Sequence, residues 1–127
     1  MGERENPPHV ALVVEDDMEV RSLAAALIEE TELDVVEAES AEEGLDYLRQ
    51  HASEVALLFT DVRLPCMMDG VDLAQKVRAK WPWIRVVVTS GHGERIDELP
   101  GGARYMPKPW RALDVLIEAE RALAKAA

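Results

Sequence analysis

Cysteine is nearly absent: Cys66 is the single one in 127 residues, so no disulfide can close within the chain. That usage fits a reducing compartment. Long apolar runs are missing as well. No stretch approaches the ~18 apolar residues of a membrane span. The first eight residues are charged and end in proline, with no apolar signal-peptide core. Basic residues are scarce, with 14 Lys and Arg against 25 Asp and Glu for a formal net charge of −11. Such a chain is repelled by phosphate backbones and by anionic headgroups, so neither nucleic acid nor a membrane is an expected partner. There is no repeat, low-complexity tract or linker. Gly91-His92-Gly93 is not followed by Gly-Lys-Ser/Thr, which excludes a phosphate loop of that kind. What remains is a soluble, cytoplasmic chain of one-domain length, whose 48% hydrophobic content can supply one core.

The apolar period alternates along the sequence. His9–Val14 reads as a buried strand ending in Glu15-Asp16-Asp17. Val20, Leu23, Ala24, Leu27 and Ile28 recur at helical spacing and predict a helix over roughly 18–30. Asp34–Ala38 is a second strand. Ser40, with Glu43 three residues on, makes a capping box that opens a helix through about Gln50. Val55–Thr60 is the most apolar strand and runs into Asp61. A loop over Val62–Asp69 leads to a third helix marked by Leu73, Ala74, Val77 and Trp81. Ile84–Thr89 carries three consecutive valines, as expected where both sheet faces are covered. Four of the seven glycines fall in Ser90–Ala103, which leaves room for one short helix near Glu94–Leu99. Arg104–Met106 is a fifth strand. Leu113, Leu116, Ile117, Leu123 and Ala124 form the expected apolar stripe of a last helix, interrupted by Glu120. Five strand–helix repeats imply a doubly wound α/β fold of three layers, with a parallel five-stranded sheet. The expected organisation is a flexible tail over 1–8 and one domain over 9–127, with no room for an output domain.

In such sheets ligands sit beyond the carboxyl ends of the strands, where the strand order reverses. For order 2-1-3-4-5 the reversal lies between the first and third strands. Glu15, Asp16 and Asp61 then converge, flanked by Thr89 and Lys108. Clustered carboxylates repel one another, and a hard divalent cation relieves this. The lysine amine suits a phosphoryl oxygen. The set predicts phosphoryl transfer, with Asp61 as nucleophile and the Thr89 hydroxyl donating to the transferred group.

These residues carry a family resemblance over essentially everything from His9 onward. Glu15-Asp16 follows Ala11-Leu12-Val13-Val14, and Asp61 lies in Thr60-Asp61-Val62-Arg63-Leu64-Pro65. Met68-Asp69-Gly70, Thr89-Ser90 and Lys108-Pro109 complete the pattern. The chain resembles the receiver domains of two-component response regulators, which share the flavodoxin-like fold. The resemblance implies that Asp61 is the phosphoacceptor. It implies that Asp16, Asp61 and the backbone carbonyl of Arg63 ligate Mg²⁺ (or Mn²⁺), with Glu15 holding a metal-bound water. Thr89 becomes the switch hydroxyl, Lys108 the phosphate contact and Tyr105 the switch aromatic, and the Lys108-Pro109 peptide is expected to be cis. The donor is a histidine kinase or histidine phosphotransfer protein. The output is an unnamed downstream protein bound by a monomer or weak homodimer, or the chain drains phosphate as a sink.

Three features depart from the family form. The Pro65–Gly70 loop is one residue longer. The Thr89–Lys108 stretch is shorter, so its helix should be short or irregular, which puts the usual dimerisation mode in doubt. The first acidic position is Glu15 rather than Asp. Adjacent strand residues face opposite ways, so only one of Thr89 and Ser90 reaches the site. Thr89 is preferred, because it directly follows the valines and leaves Ser90 as the small neighbour. Asp17 reads as a helix cap, His92 as a solvent-facing loop residue, Cys66 as inert, and Trp81, Trp83 and Trp110 as packing residues.

Other functions are weighed on the same residues. An aspartyl-phosphate phosphatase of the haloacid dehalogenase type needs a second Asp two residues after the nucleophile, where Arg63 stands. A flavin module needs a hydroxyl- and glycine-rich loop where Glu15-Asp16-Asp17 stands. An unphosphorylated interaction domain has no need of the full acidic, hydroxyl and lysine set. The expectation is therefore a signalling switch, not an enzyme beyond its own phosphorylation and dephosphorylation.

Overall fold

Five short apolar runs that must hide both faces, joined by amphipathic segments, leave few arrangements other than a covered parallel sheet. The computed structural model describes residues 7–126. Most of the expected N-terminal tail and residue 127 lie outside them. Strands β1 (Val10–Val14), β2 (Asp34–Ala38), β3 (Val55–Asp61), β4 (Arg85–Ser90) and β5 (Arg104–Pro107) form one parallel sheet in the order β2-β1-β3-β4-β5. Helices α1 (Met18–Ile28), α2 (Ala41–His51), α3 (Gly70–Lys80) and α4 (Ala112–Ala126) cover it. The strand order reverses between β1 and β3, as expected.

The sheet divides the core in two. Leu12, Val14, Leu58, Val86 and Val88 pack with α2 and α3. Ala11, Val13, Leu57, Phe59 and Val87 pack with α1 and α4. Each strand thus alternates between two buried faces, which is why it reads as a continuous apolar run.

The caps set the helix starts. Asp17 accepts from the Val20 amide at 3.1 Å and opens α1. Ser40 accepts from the Glu43 amide at 3.1 Å, whereas the Glu43 carboxylate reaches past the cap to the Glu39 amide at 2.7 Å. Only half of the expected capping box therefore forms at α2. A complete one forms at α3, between Asp69 and Asp72.

One expectation is met and one needs correction. Four α-helices are present among the described residues, and the short or irregular helix expected near Glu94–Leu99 is reduced to one turn. Between β4 and β5 the chain makes a single 3₁₀ turn, Ile96–Glu98. The glycines on either side leave too few residues for a helix. The buried stripe of α4 is rotated from the expected one. It consists of Val115, Glu118, Ala119 and Ala122, while Leu113 is 62% exposed and Ile117 37% exposed. Glu118 hides the signal. Its carboxylate takes a 2.7 Å hydrogen bond from Arg85, and this pairing offsets part of the desolvation cost of a charge on the inward face.

Candidate functional site

The carboxyl ends of β1, β3, β4 and β5 open on one edge of the sheet. β1 delivers Glu15 and Asp16, and β3 delivers Asp61 as its last residue. One carboxylate oxygen from each of these three lies within 4.8 Å of the others. Lys108, just past β5, places its amine 3.0 Å from Glu15 Oε1 and 3.2 Å from Asp61 Oδ2. Residues up to 93 positions apart in sequence meet here because strand order, not chain order, decides adjacency.

Burial sets the charge balance. Glu15 and Asp61 are buried and Asp16 is exposed. Burial pushes the Asp61 carboxyl above its ordinary range, with Lys108 pulling against it and Asp16 adding to it. Burial raises Glu15 too, against hydrogen bonds from the Asp17 amide and Lys108. For Lys108, burial opposes its charge, but the Glu15 hydrogen bond and the two carboxylates outweigh that and hold it above the usual lysine range. One ammonium thus faces three carboxylates. Two acids raised by burial, with an exposed third oxygen donor beside them and one ammonium among three carboxylates, fit a hard divalent cation.

The frame behind these groups is specific. Arg21 bonds the Glu15 carbonyl at 2.9 Å and Glu37 at 3.0 Å, tying α1 to the end of β1. Gly70 opens α3 directly against β3. A Cβ there would lie 1.8 Å from the Asp61 carbonyl oxygen, so no other residue fits without moving the strand end. The Lys108-Pro109 peptide is cis, as expected.

The two hydroxyls of β4 part company. Thr89 pairs in register with Asp61 and Met106, on the α1–α4 side, and its Oγ1 accepts from the Trp110 indole at 2.6 Å. Trp110 meets Phe59 edge to face with centroids 5.2 Å apart. Ser90 instead lines a cleft with Asp61, Arg63, Gly91, His92, Glu94 and Lys108; Thr89 is not among its walls. Tyr105 is half-buried on the same sheet face as Ser90, and its hydroxyl donates to the Ser90 carbonyl at 3.2 Å. Strand alternation foretold that only one hydroxyl would reach the cleft. The preference for Thr89 is the part the geometry does not support.

Sequence reasoning missed Glu94. Its carboxylate accepts from the Ser90 hydroxyl and lies 2.7 Å from Arg63 Nε. The Ser90 hydrogen bond, then its own backbone amide and Arg63, hold its carboxyl down at about 2. The next residue, Arg95, sits in the left-handed region at φ 57° and bridges both Asp69 oxygens at 2.8 Å, Asp72 at 3.1 Å and Glu98 at 2.9 Å. The β4–β5 segment is thereby strapped to the start of α3. No local pattern announces this, because the partners of Glu94 and Arg95 are mostly 23 to 31 residues away.

Comparison with known proteins agrees with this arrangement. The chain is 28% identical to the chemotaxis protein CheY of Listeria monocytogenes over 116 residues, covering 87% of this chain and 95% of that protein. It is 30% identical over 118 residues to the sensor kinase CckA of Brucella abortus, covering 90% of this chain; it spans only 12% of the kinase. A response regulator receiver domain from Clostridium thermocellum superposes with a TM-score of 0.82 at 26% identity, covering 92% of this chain and 95% of that one. The receiver domain of NtrX from Brucella abortus gives 0.77 at 28% identity, covering 90% and 98%. The sequence pattern of the response regulator receiver domain matches residues 11–119, and the chain belongs to that family of two-component signalling domains.

Proposed function

We propose that this receiver domain is phosphorylated on Asp61 in a Mg²⁺-dependent reaction, with a histidine kinase or histidine phosphotransfer protein as donor. The observation that carries this reading is the Lys108 amine 3.2 Å from Asp61, with Glu15 and Asp16 oxygens within 4.8 Å of the same carboxylate. An oxygen of Asp61 forms the new bond to phosphorus as the phosphorus–nitrogen bond of the donor histidine breaks in line with it. Glu15, Asp16 and Asp61 would hold the divalent ion, with the Arg63 backbone carbonyl as a further ligand. When bound, the ion offsets charge on the transferred oxygens and keeps the carboxylates ionised. Lys108 offsets charge on another phosphoryl oxygen.

We assign the switch hydroxyl to Ser90 in place of Thr89. Ser90 lines the cleft and shares a face with Tyr105, while the Thr89 hydroxyl is taken by Trp110. Once Asp61 is phosphorylated, Ser90 turns toward it and Tyr105 follows, biasing the β4–β5 segment toward a second arrangement that a partner reads. Wild type is expected to take up label from a cognate kinase or from acetyl phosphate with Mg²⁺. Asp61→Asn is expected to take up none while melting cooperatively. Undiminished labelling of Asp61→Asn at the native site would refute the assignment.

A further inference from the structure

Ser90 has one proton to give and two acceptor positions. The amides of His92 and Gly93 both donate to its oxygen, each at 3.0 Å. Its acceptor capacity is therefore used locally, and its only proton goes to Glu94. The second Glu94 oxygen is held by Arg63 at 2.7 Å. Ser90, Arg63, Glu94, Asp61 and Lys108 line one cleft. Glu94 thus brings a further negative charge, with two donors already bound to it, to the opening above the phosphoacceptor. It is not free to drift, because Arg95 beside it is locked to Asp69, Asp72 and Glu98.

We propose that Glu94 is a built-in competitor of the phosphoryl group: in the resting state its carboxylate, steadied by Arg63, holds the Ser90 hydroxyl that a phosphoryl group on Asp61 would engage. The hydroxyl cannot serve both anions, so its engagement of the phosphoryl group requires Ser90 to leave Glu94, one hydrogen bond exchanged for another. Glu94 acts through Ser90 and is a positioning residue of the resting state. This inference rests on the phosphoacceptor reading of Asp61 and goes beyond it by naming what restrains the reaction.

The test uses the full chain with Mg²⁺. Initial labelling of Asp61 by acetyl phosphate is measured, in which the bond from phosphorus to the acetate oxygen breaks as the bond to Asp61 forms. Affinity for beryllofluoride, a stable phosphoryl mimic, is followed by tryptophan fluorescence. Glu94→Ala should speed labelling about fivefold and tighten beryllofluoride binding similarly, a gain of ~1 kcal/mol at 1.4 kcal/mol per tenfold. Glu94→Gln, which keeps an acceptor but loses the charge, should fall between wild type and Glu94→Ala. In a Ser90→Ala background the same Glu94→Ala change should alter either quantity less than about twofold, since the contested hydroxyl is gone. A loop merely loosened by the substitution would give equal gains in both backgrounds, and that result overturns the proposal. So does labelling and binding of Glu94→Ala equal to wild type. A wild type that neither labels on Asp61 nor binds beryllofluoride overturns the phosphoacceptor reading itself, and this inference with it.

Discussion

At the scale of single residues, the proposed switch depends on which of two neighbouring hydroxyls faces the cleft. Thr89 and Ser90 differ by one methyl group and one position, yet a strand sends them to opposite faces. Tyr105 and Ser90 share one sheet face, the one the proposed switch would use. Ser90→Ala should therefore block the switch: phosphorylated Ser90→Ala should no longer show the fluorescence or partner-binding change of wild type. Thr89→Ala should keep that change and lose only the indole hydrogen bond, about 1 kcal/mol of stability. The reverse pattern would restore Thr89 to the role. Neither residue's propensity discriminates between them, since both are small and hydroxylic and both follow the valine run.

At the scale of elements, two close packings dominate. Gly70 is the contact between α3 and the end of β3, where a side chain would collide with the Asp61 carbonyl. Gly70→Ala is expected to cost about 3 kcal/mol, in the upper range for overpacking, and to slow Asp61 labelling because the strand end must shift. Denaturant melts and labelling rates check both parts; a variant unchanged in both would mean that the strand end yields freely. Helix α4 offers a sharper contrast. Val115 is 1% exposed and Leu113 62% exposed, although the sequence makes Leu113 look like the core residue. Val115→Ala should cost about 2 kcal/mol as a buried truncation. Leu113→Ser should stay within about 0.5 kcal/mol. Equal costs would return α4 to the stripe read from its leucines.

At the scale of the whole molecule, the proposed cation site would make stability depend on cations and protons together. Burial holds Asp61 and Glu15 above their ordinary range, so the folded chain keeps protons that the unfolded chain has released. Without a divalent ion, this pair's contribution is therefore fully favourable only in acid, below the ordinary carboxylate range. It declines as pH rises through the raised values. On the proposed reading Mg²⁺ would bind the ionised forms and compete with those protons, so its stabilising effect should fade as pH falls. At neutral pH and ten times its Kd, Mg²⁺ should add about 1.4 kcal/mol by mass action, or ~5 °C in Tm for a chain of this size. Asp61→Asn should lose most of that rise. A wild-type Tm indifferent to Mg²⁺ would count against the metal.

The sequence by itself determined the layer architecture, the strand order and the identity of the acidic and lysine groups. Strand runs, caps and the residues at strand ends are local signals, and the reversal rule converts them into a place. Only the tertiary structure decided which hydroxyl meets the cleft, which face of α4 is buried, and that Glu94 and Arg95 strap the β4–β5 segment across the site. The physical reason is the same in each case. A charge such as Glu118 or Glu94 is read as solvent-facing until its partner is known, and Arg85 and Arg63 come from elements far away in the chain. Periodicity reports where apolar atoms recur, but it does not report which charges neutralise one another once the strands are side by side.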